Sequence, residues 1–391
     1  MNLVEIPFHD WRKILQEGFR TRDAHFIEQF IQKNEVDNLI IINRPLTLAE
    51  IIVTRKKSKI PGEVVLKKGG LKLIKVQPKV YVIDYLSTQS IQQILKKKSW
   101  FIDSFGHEKL KKFTLEALKF LGIDEFSLVS HNIYAAQFCN NLSSHYQSGV
   151  FDAYDNLLLF PDHQKYHDDI RGAYHVYLKQ DQTRWATNSF NTQQFFHREF
   201  QKSEVPIIPN GVDIERFSKE YPIPEDLKAI QGPIVGFGGK ITSLFDTELF
   251  NHTLKNCPDK NFVIVGQILD KEKFNNIEKL PNFHYLGDKH YDEYPAYVYH
   301  FDLTVIPYRT EKTWGDTIKV YEFLAAGKNV VGTKGNGLIE LEDFVYLADD
   351  QEAFANLVNE VIAFKKLKTE HIPEEFTWNY KADQLIKMLA S

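Results

Sequence analysis

Short runs of aliphatic and β-branched residues alternate along the chain with longer stretches in which apolar side chains recur every three to four positions. That alternation predicts strands separated by amphipathic helices, and hence parallel sheets of the α/β class. In the first half the strand-like runs are LVEIPF near the start, 38–43, 80–84, 126–130 and 149–154, with helical periodicity over 22–32 and 107–122. The segment 63–76, EVVLKKGGLKLIKV, is centred on Gly69-Gly70 and predicts a β-hairpin. The alternation then begins afresh, with runs at 233–238, 262–266, 283–287, 303–308, 329–333 and 344–348 and helices over 317–327 and 351–366. Between the two series Pro206, Pro209, Gly211, Pro222 and Pro224 interrupt both periods and predict a linker. The expected architecture is two doubly wound, Rossmann-like domains facing a central cleft, residues 1–205 and 206–373. A last amphipathic helix, within 374–391, is expected to return to the first domain.

A length of 391 residues agrees with two domains. With 43% hydrophobic and 13% aromatic residues the chain can fill packed cores, which excludes global disorder. Cys139 and Cys257, far apart in sequence, exclude a disulfide scaffold and a cysteine zinc site. The start of the chain lacks a basic segment followed by an apolar one, and no apolar run approaches the roughly 18 residues of a membrane span, so a cytoplasmic protein is expected. The net charge of −4 conceals an asymmetry. Residues 1–205 carry 28 basic and 23 acidic side chains, net +5, and the remainder 20 and 29, net −9. Residues 51–120 alone hold 16 basic against 5 acidic side chains, net +11. These lysines form either solvated helix faces or a surface for anionic membrane lipid, placing the protein on the inner face of the membrane. A nucleic-acid partner is not expected, because no recognisable reading module accompanies the charge.

The most informative stretch is WGDTIKVYEFLAAGKNVVGT, 314–333, which reads as loop, helix, glycine stop and buried strand. Asp316 and Thr317 have helix-cap chemistry and Gly327 ends the helix. The unpaired N–H groups and dipole at such a helix start attract phosphate, and Lys319 in the first turn adds a charge. Glu322 projects from the next turn of the same face, where a carboxylate accepts hydrogen bonds from vicinal hydroxyls. Phosphate at the tip and ribose one turn deeper describe a nucleoside diphosphate. Each residue has a plainer reading: Glu322 as a solvated partner of Lys319, Gly236, Gly238 and Gly239 as a tight turn, and Trp314 as a wall residue rather than a stacking surface for sugar or base.

Together, PNGVDIERF (209–217), GFGGKI (236–241), 282–308 and KVYEFLAAGKNVVGT (319–333) resemble the C-terminal half of family-4-type glycosyltransferases (glycosyl transferases group 1) of the GT-B fold, enzymes of bacterial surface polysaccharide synthesis. The resemblance implies sugar transfer from a UDP- or GDP-type sugar nucleotide to a glycan or lipid-linked acceptor, without a resident cofactor or metal and, by the family's habit, with retention. It implies that Glu322 binds the donor ribose as the second Glu of an E-x7-E motif, and that Lys240, after Gly239, holds the pyrophosphate. Residues 287–291 would receive the base. Trp314 stands where the first motif Glu is expected and Phe245 where a second basic residue is expected.

In the first domain, GVFDAYDN resembles an aspartate-bearing strand end of such enzymes and points to Asp155 as the group assisting transfer. Asp152, three residues earlier, is expected to face the other side of the sheet. Arg20, Arg22 and His25, in the loop and helix after the first strand run, are candidates for phosphate or acceptor recognition, as is His131 at another strand end. His163 and His167 have metal-ligand spacing but lack the intervening Glu of H-E-x-x-H. Two other classes remain: a non-catalytic glycan-binding scaffold on a degenerate GT-B fold, and a sugar-nucleotide epimerase.

Overall fold

A computed structural model of the chain describes residues 1–54, 59–310, 315–335, 337–364 and 372–390. Two compact units result: Met1–Ile208 with Ala382–Ser391, and Pro209–Lys381.

In the first unit the strands are β1 (Asn2–Ile6), β2 (Asn38–Ile42), β3 (Leu46–Thr47), β4 (Glu63–Lys68), β5 (Leu71–Gln77), β6 (Val80–Ser87), β7 (Ser127–Ser130), β8 (Gly149–Asp152) and β9 (Thr183–Ala186). They form one sheet in the order β4-β5-β6-β2-β1-β7-β8-β9, with β3 beside β6. All pairings are parallel except those of the β4–β5–β6 meander. Central parallel strands are covered on both faces, which is why β1 and β2 read as nearly continuous apolar runs. Leu3, Val4, Ile6 and the whole of Leu39–Ile42 are inaccessible to solvent. The hairpin turns at Gly69 and Gly70, whose φ angles of 49° and 85° are those of a type I′ turn. Setting the hairpin aside, the strands follow the order 3-2-1-4-5-6 of dinucleotide-binding sheets.

The second unit repeats that order with β10 (Ile234–Gly238), β11 (Asn261–Val265), β12 (Phe283–Tyr285), β13 (Leu303–Ile306), β14 (Val330–Thr333) and β15 (Tyr346–Ala348), arranged β12-β11-β10-β13-β14-β15 and parallel throughout. The helix Ile318–Ala325 leads into β14 and buries Val320 through Ala325. It ends in a Schellman motif: Gly327, at φ 69°, donates its N–H to Leu324 O, and Lys328 donates to Phe323 O, both at 2.9 Å. The PNGV segment runs beside the chain leading to the last helix. Val212 and Thr377 form a parallel bridge, and a Cβ on Gly211 would lie 3.0 Å from Phe376 O and Trp378 N.

The helix Trp378–Ala390 passes from one unit to the other, and its residues from Ala382 onward belong to the first. There Lys33 pairs with Asp383 at 2.5 Å, Arg184 Nη1 donates to Met388 O at 2.6 Å, and Ser148 Oγ donates to Leu389 O at 2.5 Å. The return of the last helix expected from the sequence is therefore present.

Candidate functional site

Open α/β sheets bind ligands outside the carboxyl ends of their strands, where the strand order reverses. In the second unit that point lies between β10 and β13, and Gly239 and Lys240 leave β10 there while Tyr308 follows β13. Gly239 has a φ of 133°, a conformation side chains resist, and a Cβ on it would lie 2.6 Å from Lys319 Cε. The Lys319 stem thus crosses bare backbone. Its ammonium bonds to the Tyr308 hydroxyl, lies 3.1 Å from Thr317 Oγ1, and sits 4.7 Å from the Tyr308 ring centroid. The structure brings Gly239, Thr317 and Lys319 together as the sequence suggested, and adds Tyr308, whose position in an apolar strand run concealed it.

Glu322 is 5% exposed, so the solvated-helix reading fails. Its Oε1 accepts a hydrogen bond from the Tyr291 hydroxyl at 2.7 Å. Burial and the adjacent carboxylate push the Tyr291 phenol well above its ordinary value, which keeps it a donor. Tyr291 belongs to the loop at 287–291, and the Arg216 guanidinium carbon lies 5.0 Å from its ring centroid. This arrangement gives a carboxylate held in place one turn inside a helix that starts beside a lysine.

Capping differs from expectation. Thr317 occupies the N-cap position without a side-chain cap bond, because its hydroxyl meets the Lys319 ammonium instead. Asp316 Oδ2 accepts from Asn210 N at 2.6 Å and from the Tyr321 hydroxyl at 3.0 Å, so this carboxylate fastens the PNGV segment to the helix start. Lys240 is half-buried beside Gly239. Phe245, where a second basic residue was expected, is fully buried and packs edge-to-face on Phe237 and Phe250 at 5.2 Å, which makes it a core residue. Trp314 lies outside the described residues.

In the first unit the strand order reverses between β1 and β7, and the carboxyl ends there are filled by charged residues buried to 0–4% exposure. Arg22 grips Asp152 with two parallel bonds, Nε to Oδ2 at 2.8 Å and Nη2 to Oδ1 at 2.9 Å, and Nη2 also donates to Ile208 O at 2.8 Å. His131 places Nδ1 2.8 Å from Asp152 Oδ2 and Nε2 3.3 Å from Glu5 Oε1. Asp23 accepts from His9 N at 2.8 Å and from the Thr21 hydroxyl at 2.6 Å.

These contacts set the protonation states. Burial alone would raise Asp152, but the Arg22 charge and the bonds from His131 and Arg22 outweigh it and hold the carboxyl at about 2. Burial would lower His131, but its two carboxylate neighbours raise it to about 9. For Glu5 burial wins, His131 offsetting only part, and the carboxyl rises to about 7. Asp23, against the same burial, is drawn below the usual carboxylate range by His9.

This network corrects several expectations. Arg22 has its guanidinium committed to Asp152 and Ile208, so it is a buried tie and not an anion receptor. Arg20 bonds Glu17 at 2.9 Å, and His25 is fully buried 3.9 Å from Glu28; neither is presented as a phosphate ligand. Asp152 and Asp155 do not face opposite sides. The strand ends at Asp152, period-two alternation stops with it, and both residues line one cavity with Phe8, His131 and Tyr154. Of the two, Asp155 is exposed. His163 Nε2 lies 2.9 Å from Lys98 Nζ, and among the described residues no group of three His, Cys, Asp or Glu is arranged to hold a metal ion. Glu5 was missed altogether; the available signal was an acid inside the otherwise apolar run LVEIPF.

Much of the site in the second unit falls in a segment that resembles a known sequence family. Residues 242–363 match the family model for glycosyl transferases group 1. The chain is 30% identical over 155 residues to the protein named teichuronic acid biosynthesis glycosyltransferase TuaH of Bacillus subtilis, a match covering 36% of this chain and 39% of that protein. The chain thus aligns with about two fifths of the length of this curated relative. Among solved structures, Anabaena HepE in complex with UDP and glucose superposes with a TM-score of 0.68 at 16% identity, covering 100% of this chain and 99% of that one. Sucrose-phosphate synthase of Thermosynechococcus elongatus gives 0.67 at 12% identity, covering 99% and 98%. The fold is that of GT-B glycosyltransferases.

Proposed function

We propose that the chain is a nucleotide-sugar-dependent glycosyltransferase of the hexosyltransferase type, passing a sugar from a UDP- or GDP-type donor to a glycan or lipid-linked acceptor. The observation that carries this reading is the pairing, at the strand reversal of the second unit, of Lys319 lying across Gly239 with Glu322 buried one turn deeper. Lys319 and Lys240 hold the diphosphate, and Glu322 accepts the ribose hydroxyls. Breaking the bond from the anomeric carbon to the diphosphate releases the nucleotide, and the acceptor oxygen forms the new bond. Asp155, exposed in its cavity, takes the acceptor proton. Residues 1–208 receive the acceptor and residues 209–381 the donor. TuaH is named for teichuronic acid biosynthesis, which supports a polysaccharide acceptor.

The test is calorimetric titration with UDP and GDP, followed by mass spectrometry of products from a panel of sugar nucleotides with lipid-linked acceptors. A nucleotide bound by wild type and lost on Lys319→Ala supports the reading, and failure to bind either nucleotide refutes it. Asp155→Asn is expected to lower transfer by roughly two to four decades while leaving nucleotide affinity intact.

A further inference from the structure

We infer that the first unit docks on an anionic lipid bilayer through a paired-helix knuckle formed by Leu48–Thr54 and Ser90–Lys96. The two helices are joined on their polar sides: the Thr47 hydroxyl bonds Gln93, Gln93 Nε2 donates to Glu50 Oε2 at 2.6 Å, and Ala49 N donates to Ser90 Oγ at 3.4 Å. Polar side chains therefore face inward, and apart from the buried Ile51 the large aliphatic ones face outward. Leu48, Ile52 and Val53 on one helix and Ile91, Ile94 and Leu95 on the other are each between 55% and 82% exposed. The helix Ser90–Lys96 buries no residue at all. A water-soluble helix normally does the reverse, and a cluster of exposed large apolar side chains marks a surface that something covers.

Charge selects the occupant. Lys96 and Lys97 directly follow the apolar side chains of the second helix and are exposed, and residues 51–120 carry net +11. Apolar side chains flanked by lysines fit an interface that is hydrocarbon below and phosphate above. Among the described residues no helix is long and apolar enough to cross a membrane, so this is adsorption to one face. Topology gives the contact a purpose. One helix follows β3 and the other follows β6, so both leave the carboxyl edge of the parallel strands, the edge that carries His131, Asp152 and the Asp155 cavity. Docking there sets the proposed acceptor site against the headgroups from which a lipid-linked sugar would project. The inference rests on the lipid-linked form of the proposed acceptor.

Sedimentation of the full chain with vesicles of phosphatidylcholine, alone or mixed equally with phosphatidylglycerol, tests it. Binding is expected to the mixed vesicles, to fall in about 0.5 M salt, and to weaken at least about tenfold in Ile94→Ser/Leu95→Ser, whose side chains are exposed and whose removal leaves the fold intact. Transfer to a short soluble acceptor, measured in parallel, is expected to be equal in the two proteins. Absence of transfer in both defeats the enzymatic reading and leaves the vesicle result to be judged alone. Equal binding to both vesicle types, undiminished binding by the double variant, or a dimer in sedimentation velocity that the double variant abolishes each overturns the docking proposal.

Discussion

Arg22→Met removes the guanidinium that neutralises Asp152 and keeps most of the aliphatic stem. Three hydrogen bonds of 2.8–2.9 Å disappear, two of them to the carboxylate and one to Ile208 O, in a place where both side chains are within 1% of full burial. Deleting one partner of a buried ion pair costs about 3–5 kcal/mol, because the other charge stays behind without solvent. The depressed Asp152 acidity gives an independent measure: a fall from 3.8 to about 2 corresponds to stabilisation on the order of 2 kcal/mol, present above pH 3.8 and lost as pH falls through about 2. The two figures agree in scale. For a unit of this size each kcal/mol moves the unfolding midpoint by about 2–4 °C, so the expected loss is about 6–20 °C at pH 7.

The assay is thermal unfolding followed by tryptophan fluorescence, with Trp11, Trp100 and Trp185 reporting on the first unit. A double-mutant cycle separates charge from packing. In an Asp152→Asn background the carboxylate is already gone, and Arg22→Met is expected to cost at least about 1.5 kcal/mol less than in wild type. A deficit below about 1 kcal/mol in the single variant, or strict additivity in the cycle, would show that the pair does not hold these strand ends and would refute the reasoning.

The same cluster predicts a pH profile. Glu5, raised to about 7, favours folding fully below pH 4.5 and loses that contribution as pH rises through 7; His131, raised to about 9, favours it below 6.5 and loses it as pH rises through 9. Since Asp152 acts in the opposite sense only below pH 3.8, stability of the first unit is expected to be greatest near pH 4–5 and to decline toward pH 9; a profile flat from pH 5 to 9 by chemical denaturation contradicts the assignment. Glu322→Gln keeps an acceptor for Tyr291 but removes the charge, and UDP or GDP affinity by calorimetry is expected to fall about 10- to 100-fold with little change in unfolding temperature; unchanged affinity removes Glu322 from the ribose site. Gly239→Ala forces φ 133° on a side-chain-bearing residue and pushes Lys319 aside. It is expected to cost about 1–3 kcal/mol in the second unit and to weaken nucleotide binding, and full retention of both measures would show that the close approach is dispensable.

Most strand positions and the returning last helix were legible because buried parallel strands are apolar throughout and amphipathic helices keep their period; β9 was not, its short TRWA run being broken by Arg184. The restart of the alternation likewise exposed the second sheet, though not its strand order. Lys319 and Glu322 were legible because the sequence places them one turn apart at the start of a helix bounded by Gly327. Their partners were legible only in part: the resemblance placed Tyr291 in the base loop but not against Glu322, and nothing local distinguishes Tyr308 from a core aromatic. The first unit misled for a related reason. Arg20, Arg22 and His25 look like a phosphate-binding loop in one dimension, and only the fold shows Asp152 arriving 130 residues later to occupy Arg22. The outward-facing residues Ile52 and Ile94 carry no local signal of their exposure, since exposure is a property of what the remainder of the chain leaves uncovered.

Both units share one strand order and so present the same crevice, yet they fill it oppositely. In the second, a lysine lies across glycine backbone, and a buried carboxylate is fixed by a tyrosine. In the first, Arg22, Asp23, Glu5, His131 and Asp152 occupy the corresponding carboxyl ends with their own charges, so no diphosphate is needed to complete the electrostatics there. A sheet whose anion site is already neutralised from within holds the exposed acid beside it, Asp155, at a defined position on a rigid base. That division follows from which side chains lie at the strand ends, and it supports the proposal that nucleotide binds in the second unit even though either topology alone would permit it.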